Sequence, residues 1–88
     1  MVTRELPVVN ALGLHARAAA RFVKLASTFR SQVRVTRGSR TTDGKSILGL
    51  LLLAAARGAS LVITADGPDE QAALDALADL TARGFEDA

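Results

Sequence analysis

The 88-residue chain contains no cysteine, no tryptophan and no tyrosine, and it has only one histidine. Without cysteine it forms neither a disulfide nor a thiolate metal site, and a reducing cytosol is permitted. A single histidine without a cluster of other ligands argues against a metal centre. Because three phenylalanines are the only aromatic residues, a platform for stacking nucleic-acid bases is also poorly supported.

Long apolar segments are scarce too. The first nine residues contain no apolar core of a signal peptide, and the longest apolar run, residues 47–56, is too short to span a bilayer. The composition is otherwise that of a globular domain, with 49% hydrophobic and 23% charged residues. We therefore expect a single domain over residues 1–88, located in the cytoplasm and without membrane insertion.

Acidic residues are rare in the first half of the chain. Before residue 46 only Glu5 and Asp43 are acidic, whereas most of the 11 basic residues lie there. The net charge of +2 is too small to indicate nucleic acid by itself. The uneven distribution instead favours an acidic partner or a phosphate group near the first helix.

The apolar pattern predicts the element order β-α-β-β-α-β-α. Ala19, Phe22 and Ala26 share one face of a helix over Ala16–Phe29. Ser46 is typical of a helix N-cap, and it predicts a short helix that begins after it, contains the apolar run 47–56 and is ended by Gly58. The other predictions are a strand over 2–9 in which Pro7 indicates an edge or a bulge, strands within 31–38, 40–44 and 60–67, and a last helix that opens at Pro68 or Asp69 and ends at Gly84.

This order favours an α+β fold with one antiparallel or mixed sheet and with helices packed on one face. In the second strand Val33 and Val35 alternate with Arg34 and Thr36, which is the pattern of a half-buried strand. We therefore expect the second face of the sheet to carry polar side chains such as Arg34 and Thr36.

His15 lies where the first helix begins, and Arg17 follows two residues later. The free N–H groups and partial positive charge of a helix N-terminus bind anions, and they disfavour the protonated form of an imidazole. His15 is thus expected to be a neutral nucleophile that accepts a phosphoryl group. The alternatives are a surface residue or a helix cap, and no carboxylate partner for acid–base catalysis is visible nearby in the sequence.

The segment "GLHARAA" at Gly13–Ala19 resembles the active-site signature of the HPr family, the histidine-containing phosphocarriers of the bacterial phosphotransferase system. The segment "GKSILGL" at Gly44–Leu50 resembles the family's second motif, and "ADGPDEQAALDAL" at Ala65–Leu77 is similar to its last turn and helix. The resemblance covers nearly the whole chain. It implies an open-faced β-sandwich, with a four-stranded antiparallel sheet and three helices on one face.

The resemblance also implies a function. His15 would accept a phosphoryl group on Nδ1 from phosphorylated enzyme I, which takes it from phosphoenolpyruvate, and would pass it to a histidine of an enzyme IIA. Arg17 matches the arginine that contacts the phosphate, and the backbone at Ala16 would help to hold it. Ala18 adds an N–H group that could either bond the phosphate or fray the helix start. The family usually has proline where this chain has Ala18, so the transfer rate and the start of the helix depend on that change. Such a protein is a carrier and not an autonomous enzyme; we expect an exposed His15, a monomer and no cofactor.

Ser46 matches a serine that an ATP-dependent HPr kinase phosphorylates in some bacteria, and this role is compatible with an N-cap. The resemblance further implies that Ile47, Leu48 and Leu51 form an exposed docking patch. Arg17, Arg21 and Lys24 could form a basic rim that meets acidic partner surfaces. The competing interpretations are core packing for the leucines and a solvated helix face for the basic residues. HPr kinase/phosphorylase and a transcription regulator are further expected partners where the host has them.

Three functional alternatives remain at this point. Within the family, the sequence does not separate the sugar-transport branch from the nitrogen-related NPr branch. A regulatory module that has lost efficient transfer is the second alternative, and Ala18 is its only support. The third is nucleic-acid binding, which the aromatic content argues against and which would use a basic hairpin made of Arg30, Arg34, Arg37 and Arg40.

Overall fold

The computed structural model describes residues 1–87, which form one sheet and three α-helices. The sheet is antiparallel throughout, and its spatial order is first, fourth, second, third. A short 3₁₀ helix, Gly84–Glu86, follows the last α-helix. The strands are β1 (Val2–Pro7), β2 (Gln32–Arg37), β3 (Arg40–Asp43) and β4 (Ser60–Asp66), and the helices are α1 (Ala16–Ala26), α2 (Ile47–Leu52) and α3 (Glu70–Ala82).

One face of the sheet is buried and the other is polar, as the alternation predicts. Val33 and Val35 of β2 are buried, whereas Arg34 between them is exposed and Thr36 is half-buried. Thr36 hydrogen-bonds the hydroxyl of Thr41 on the open face, with 2.9 Å between the oxygens. The α+β fold and its element order are therefore confirmed. The core is completed by Phe22 of α1, Leu50 of α2, Leu61, Ile63 and Ala65 of β4, and Leu74 and Leu77 of α3.

Helix α1 begins at Ala16 as predicted but ends at Ala26, three residues before Phe29. Thr28 explains the early end, because its hydroxyl and its backbone N–H both donate to the carbonyl of Leu25, at 2.6 and 3.1 Å. Such side-chain bonds satisfy the last carbonyls without continuing the helix. Phe29 is partly buried and still packs against the core from outside the helix.

Helix α2 ends at Leu52, so the prediction of a helix over 47–56 was too long. Arg40 Nη1 donates to the carbonyl of Leu52 at 3.0 Å, and Ala54 has a positive φ of 51° that turns the chain away. The carbonyl of Ala55 then accepts the N–H of Leu14 at 2.9 Å. Gly58, with φ of 90°, lies in the following turn and does not end the helix. The extra apolar residues thus support the loop before His15.

The remaining boundaries differ by one or two residues. β1 stops at Pro7 and not at residue 9, and it is an edge strand, as Pro7 indicates. Asp69 is the N-cap residue of α3, but its carboxylate accepts the N–H groups of Arg30 and Ser31, each at 2.9 Å. No helix within residues 1–87 has both the length and the apolar character needed to cross a membrane.

Candidate functional site

The loop before α1 requires glycine at position 13. Gly13 has φ of 67°, and a Cβ there would collide with the carbonyl oxygen of Ala55. Its neighbour Leu14 is buried and donates its N–H to that same oxygen. This close approach of two backbone segments fixes the direction from which the chain enters α1.

His15 is the N-cap residue of α1. Its backbone is extended, with φ of −79° and ψ of 179°, and its carbonyl accepts the N–H of Ala19 at 2.8 Å. Its ring Nδ1 accepts the N–H of Arg17 at 3.3 Å. The side chain is 23% exposed, so the ring reaches solvent through one part of its surface only. The lone pair of Nδ1 therefore faces the N-terminus of the helix.

A carboxylate that the sequence did not reveal lies on the other side of the ring. Asp87 Oδ2 is 3.0 Å from His15 Nε2 and accepts the amide N–H of Asn10 at 3.1 Å. The Asp87 side chain is only 7% exposed. The hydrogen bonds from Asn10 and then from His15 lower the pKa of Asp87 below its usual value. Because 72 positions separate Asp87 from His15, no local motif connects them.

The segment that carries Asp87 is anchored against α1. Phe85 is fully buried, and Arg21 Nη1 donates to the carbonyls of Phe85 and Glu86 at 2.9 and 2.8 Å. Arg21 was expected on a docking rim, yet in this structure its guanidinium holds the C-terminal segment. Lys24 is exposed one turn further along the helix.

Arg17 lies close to both the Asp87 carboxylate and the His15 ring. Its Nη1 is 3.8 Å from Asp87 Oδ1, and its side chain is 69% exposed, so the guanidinium can move toward a ligand on His15. Ala16 is exposed, whereas Ala18 is fully buried in the core. Within residues 1–87 the N–H groups of Ala16 and Ala18 have no acceptor, as expected in the first turn of a helix.

The second motif forms the start of α2. Ser46 Oγ accepts the N–H of Gly49 at 3.0 Å, which agrees with the predicted N-cap. Ile47 and Leu48 are 43% and 67% exposed, but Leu51 is half-buried against the core. Leu52 and Leu12, which were not predicted to dock partners, are exposed as well. We call Ile47, Leu48 and Leu52 the α2 apolar surface; α2 packs against α1, the helix that His15 caps.

Comparison with known proteins identifies the family of this chain. A family model described as the PTS HPr component phosphorylation site matches residues 2–83. The chain is 48% identical to phosphocarrier protein HPr of Cupriavidus necator over 85 residues, which cover 97% of this chain and 96% of that protein. It is 46% identical to phosphocarrier protein HPr of Neisseria meningitidis over 80 residues, 91% of this chain and 90% of that one.

Solved structures show the same fold. The crystal structure of HPr-C-His from Thermoanaerobacter tengcongensis matches with a TM-score of 0.95 and 38% identity, over 100% of this chain and 99% of that one. The crystal structure of an HPr dimer from the same organism matches with a TM-score of 0.77 and 40% identity, over 91% and 92%. The family model, the relatives and the fold agree, and this chain belongs to the HPr family of phosphotransferase-system phosphocarriers.

Proposed function

We propose that the chain carries a phosphoryl group from phosphorylated enzyme I to an enzyme IIA of the phosphoenolpyruvate-dependent phosphotransferase system, with His15 as the acceptor. The observation that supports this most directly is the orientation of the ring. Nδ1 of His15 points at the N-terminus of α1, where the N–H of Arg17 is its hydrogen-bond partner. A nucleophile and an anion-binding helix end therefore occupy the same place.

The transfer step uses these groups in order. The Nδ1 lone pair attacks phosphorus while the bond between phosphorus and the donor atom of enzyme I breaks, and that bond's electron pair leaves with the donor. The N–H of Arg17, which Nδ1 no longer needs as a donor, becomes free for a phosphoryl oxygen. The unpaired N–H groups at Ala16 and Ala18 and the Arg17 guanidinium add further positive charge at this position.

Docking is proposed for the surface next to α1. The α2 apolar surface supplies exposed side chains at Ile47 and Leu48, and Arg17 and Lys24 supply exposed positive charge on α1. Apolar patches with charged rims commonly bind partners, and the charge speeds the encounter with acidic surfaces. Leu51 contributes less than the resemblance implies, because it is half-buried.

Ser46 is proposed as a regulatory phosphorylation site in hosts that have the kinase. Its hydroxyl caps α2 and is half-buried, beside the exposed Ile47. A phosphate would add about two negative charges there, which the helix N-terminus tolerates but an acidic partner would not. Phosphorylation of Ser46 would therefore reduce docking to enzyme I without unfolding α2.

The experiment is intact-mass analysis after incubation with phosphoenolpyruvate, magnesium and a competent enzyme I. We expect an acid-labile gain of about 80 Da, one phosphoryl group, in the wild type and no gain in His15→Ala. Phosphorylation of His15→Ala to the same extent would overturn the assignment of the acceptor. No gain in the wild type would instead favour a regulatory module without efficient transfer.

We further propose that the carrier is a cytoplasmic monomer.

A further inference from the structure

The contact between Asp87 and His15 has no part in the transfer step described above. Nδ1 accepts a hydrogen bond from the N–H of Arg17, so the proton of the neutral ring is on Nε2. Nε2 is 3.0 Å from Asp87 Oδ2 and therefore donates to the carboxylate. The ring is thus held between a helix N–H and a carboxylate, and each contact favours the same tautomer.

The surroundings keep this carboxylate charged and in place. Asn10 donates from Nδ2 both to Asp87 Oδ2 at 3.1 Å and to the carbonyl of Gly13 at 2.8 Å. The Oδ1 atom of the same buried amide has no hydrogen-bond partner among residues 1–87. An unsatisfied buried acceptor costs stability. We therefore infer that the Asn10 side chain keeps this orientation because its Nδ2 group donates to both Asp87 and Gly13.

We propose that Asp87 is a positioning residue for phosphoryl transfer: its carboxylate orients His15 and balances the positive charge that the ring gains when the Nδ1–phosphorus bond forms. This inference rests on the proposed function. It concerns the side chain of a residue far along the chain, which acts only through the imidazole. The arrangement is analogous to other sites in which a carboxylate holds a histidine in one tautomer.

The charge balance is simple. Before transfer the ring is neutral, with a lone pair on Nδ1 and a proton on Nε2. When Nδ1 bonds to phosphorus, its lone pair becomes the new bond and the ring becomes a cation that still carries the Nε2 proton. In onward transfer the electron pair of the nitrogen–phosphorus bond returns to Nδ1. Because the ring keeps its proton, it is a better leaving group than a neutral phosphoimidazole.

Within the part of the chain that the structure describes, Arg17 and Arg21 are the other charged side chains beside this pair. Arg17 Nη1 lies 3.8 Å from Asp87 Oδ1, and its guanidinium is largely exposed and therefore screened. Arg21 of α1 is bound to the carbonyls of Phe85 and Glu86. Asp87 is 7% exposed, so its charge acts on the ring with little screening by water. Among residues 1–87, the Asp87 carboxylate is thus the closest group of opposite charge to the cationic ring.

The test compares Asp87→Asn with Asp75→Asn. Asparagine at position 87 has the same shape and an acceptor oxygen but no charge. Asp75 is exposed on α3, where it contacts Gln71 and Arg4, so its variant makes the same change in net charge away from the site. We measure the rate of phosphoryl uptake from enzyme I, and the hydrolysis rate of phosphorylated His15 between about pH 5 and 9, the range around histidine titration.

We expect Asp87→Asn to take up the phosphoryl group roughly tenfold more slowly than the wild type, because it loses a charge-assisted hydrogen bond. We also expect its hydrolysis profile to move toward acid, since the protonated phosphoimidazole is the labile form. Asp75→Asn should match the wild type in both measurements. A role in folding alone would change the melting temperature without moving the hydrolysis profile.

Wild-type uptake and an unmoved hydrolysis profile in Asp87→Asn would overturn the inference while leaving the carrier function intact. Failure of the wild type to accept a phosphoryl group would instead remove the proposed function, which distinguishes the two cases. If Asp87→Asn does not fold, the same measurements on Asp87→Glu decide the matter. A profile like that of the wild type supports the charge role, and a profile like that of phosphohistidine in an unfolded peptide contradicts it.

Discussion

Two replacements of Ser46, by alanine and by aspartate, test the stability of α2 and the docking of partners separately. The helix has six residues and no acidic side chain in its first turn, so its start depends on Ser46. Ser46 Oγ accepts the N–H of Gly49, and its carbonyl accepts the N–H of Leu50, each at 3.0 Å. Ser46→Ala removes the first of these bonds and leaves a half-buried N–H without its acceptor.

We expect Ser46→Ala to lower the free energy of unfolding by about 1 kcal/mol, the usual cost of losing an N-cap. In a domain of this size that corresponds to a melting temperature lower by about 4–8 °C. Ser46→Asp keeps an acceptor oxygen and places a negative charge at a helix N-terminus, so its unfolding free energy should stay within about 0.5 kcal/mol of the wild type. Thermal unfolding followed by circular dichroism measures both variants.

The rate of phosphoryl uptake should rank the two variants in the opposite order, with Ser46→Asp the more affected. At 20 °C Ser46→Ala remains folded and should accept the phosphoryl group from enzyme I at the wild-type rate. Ser46→Asp should be slower by roughly fivefold, the factor for about 1 kcal/mol of unfavourable charge interaction at 4 Å in water. Unchanged stability of Ser46→Ala would refute the capping argument. A wild-type rate for Ser46→Asp would refute the placement of enzyme I over α2.

Two further predictions concern parts of the fold that support the site. Gly13→Ala should be strongly destabilised and should lose most phosphoryl uptake, because φ at position 13 is positive and the new Cβ would collide with the carbonyl of Ala55. Thermal unfolding and the mass assay measure the two effects. Gly38→Ala is the control for the effect of positive φ alone, since Gly38 also has a positive φ but has open space around it. The hydroxyl of Ser31 and then the N–H of Arg30 lower the pKa of Asp69 from 3.8 to about 2, so its stabilising contribution is complete above about pH 4 and is lost as the pH falls toward 2. Asp69→Asn should therefore be less stable than the wild type at neutral pH and should show a shallower loss of stability between pH 4 and 2 in urea unfolding; an identical acid limb would contradict this.

Much of the fold follows from short-range patterns. The alternation of Val33 and Val35 with polar residues gave the buried and open faces of the sheet correctly. Ser46 predicted the start of α2 because N-capping is a local interaction between residues three apart. The element order and the position of His15 at the start of α1 followed in the same way.

The errors arose where distant groups decide the local structure. The apolar run 47–56 has no internal signal for an end at Leu52, since Arg40 and the turn at Ala54 set that end. Similarly, the carboxylate beside His15 comes from Asp87, whose place depends on buried Phe85 and on Arg21. Such long-range partners have no periodicity that a single sequence would reveal.

The most direct test of the carrier function is to follow one phosphoryl group through both steps of the relay, uptake from enzyme I and donation to an enzyme IIA. The chain is first phosphorylated by enzyme I, freed of phosphoenolpyruvate, and then mixed with an enzyme IIA while both intact masses are followed. We predict that this chain loses about 80 Da as the enzyme IIA gains the same mass, with no reaction in His15→Ala. A phosphorylated chain that keeps its phosphoryl group with every competent enzyme IIA would contradict the account.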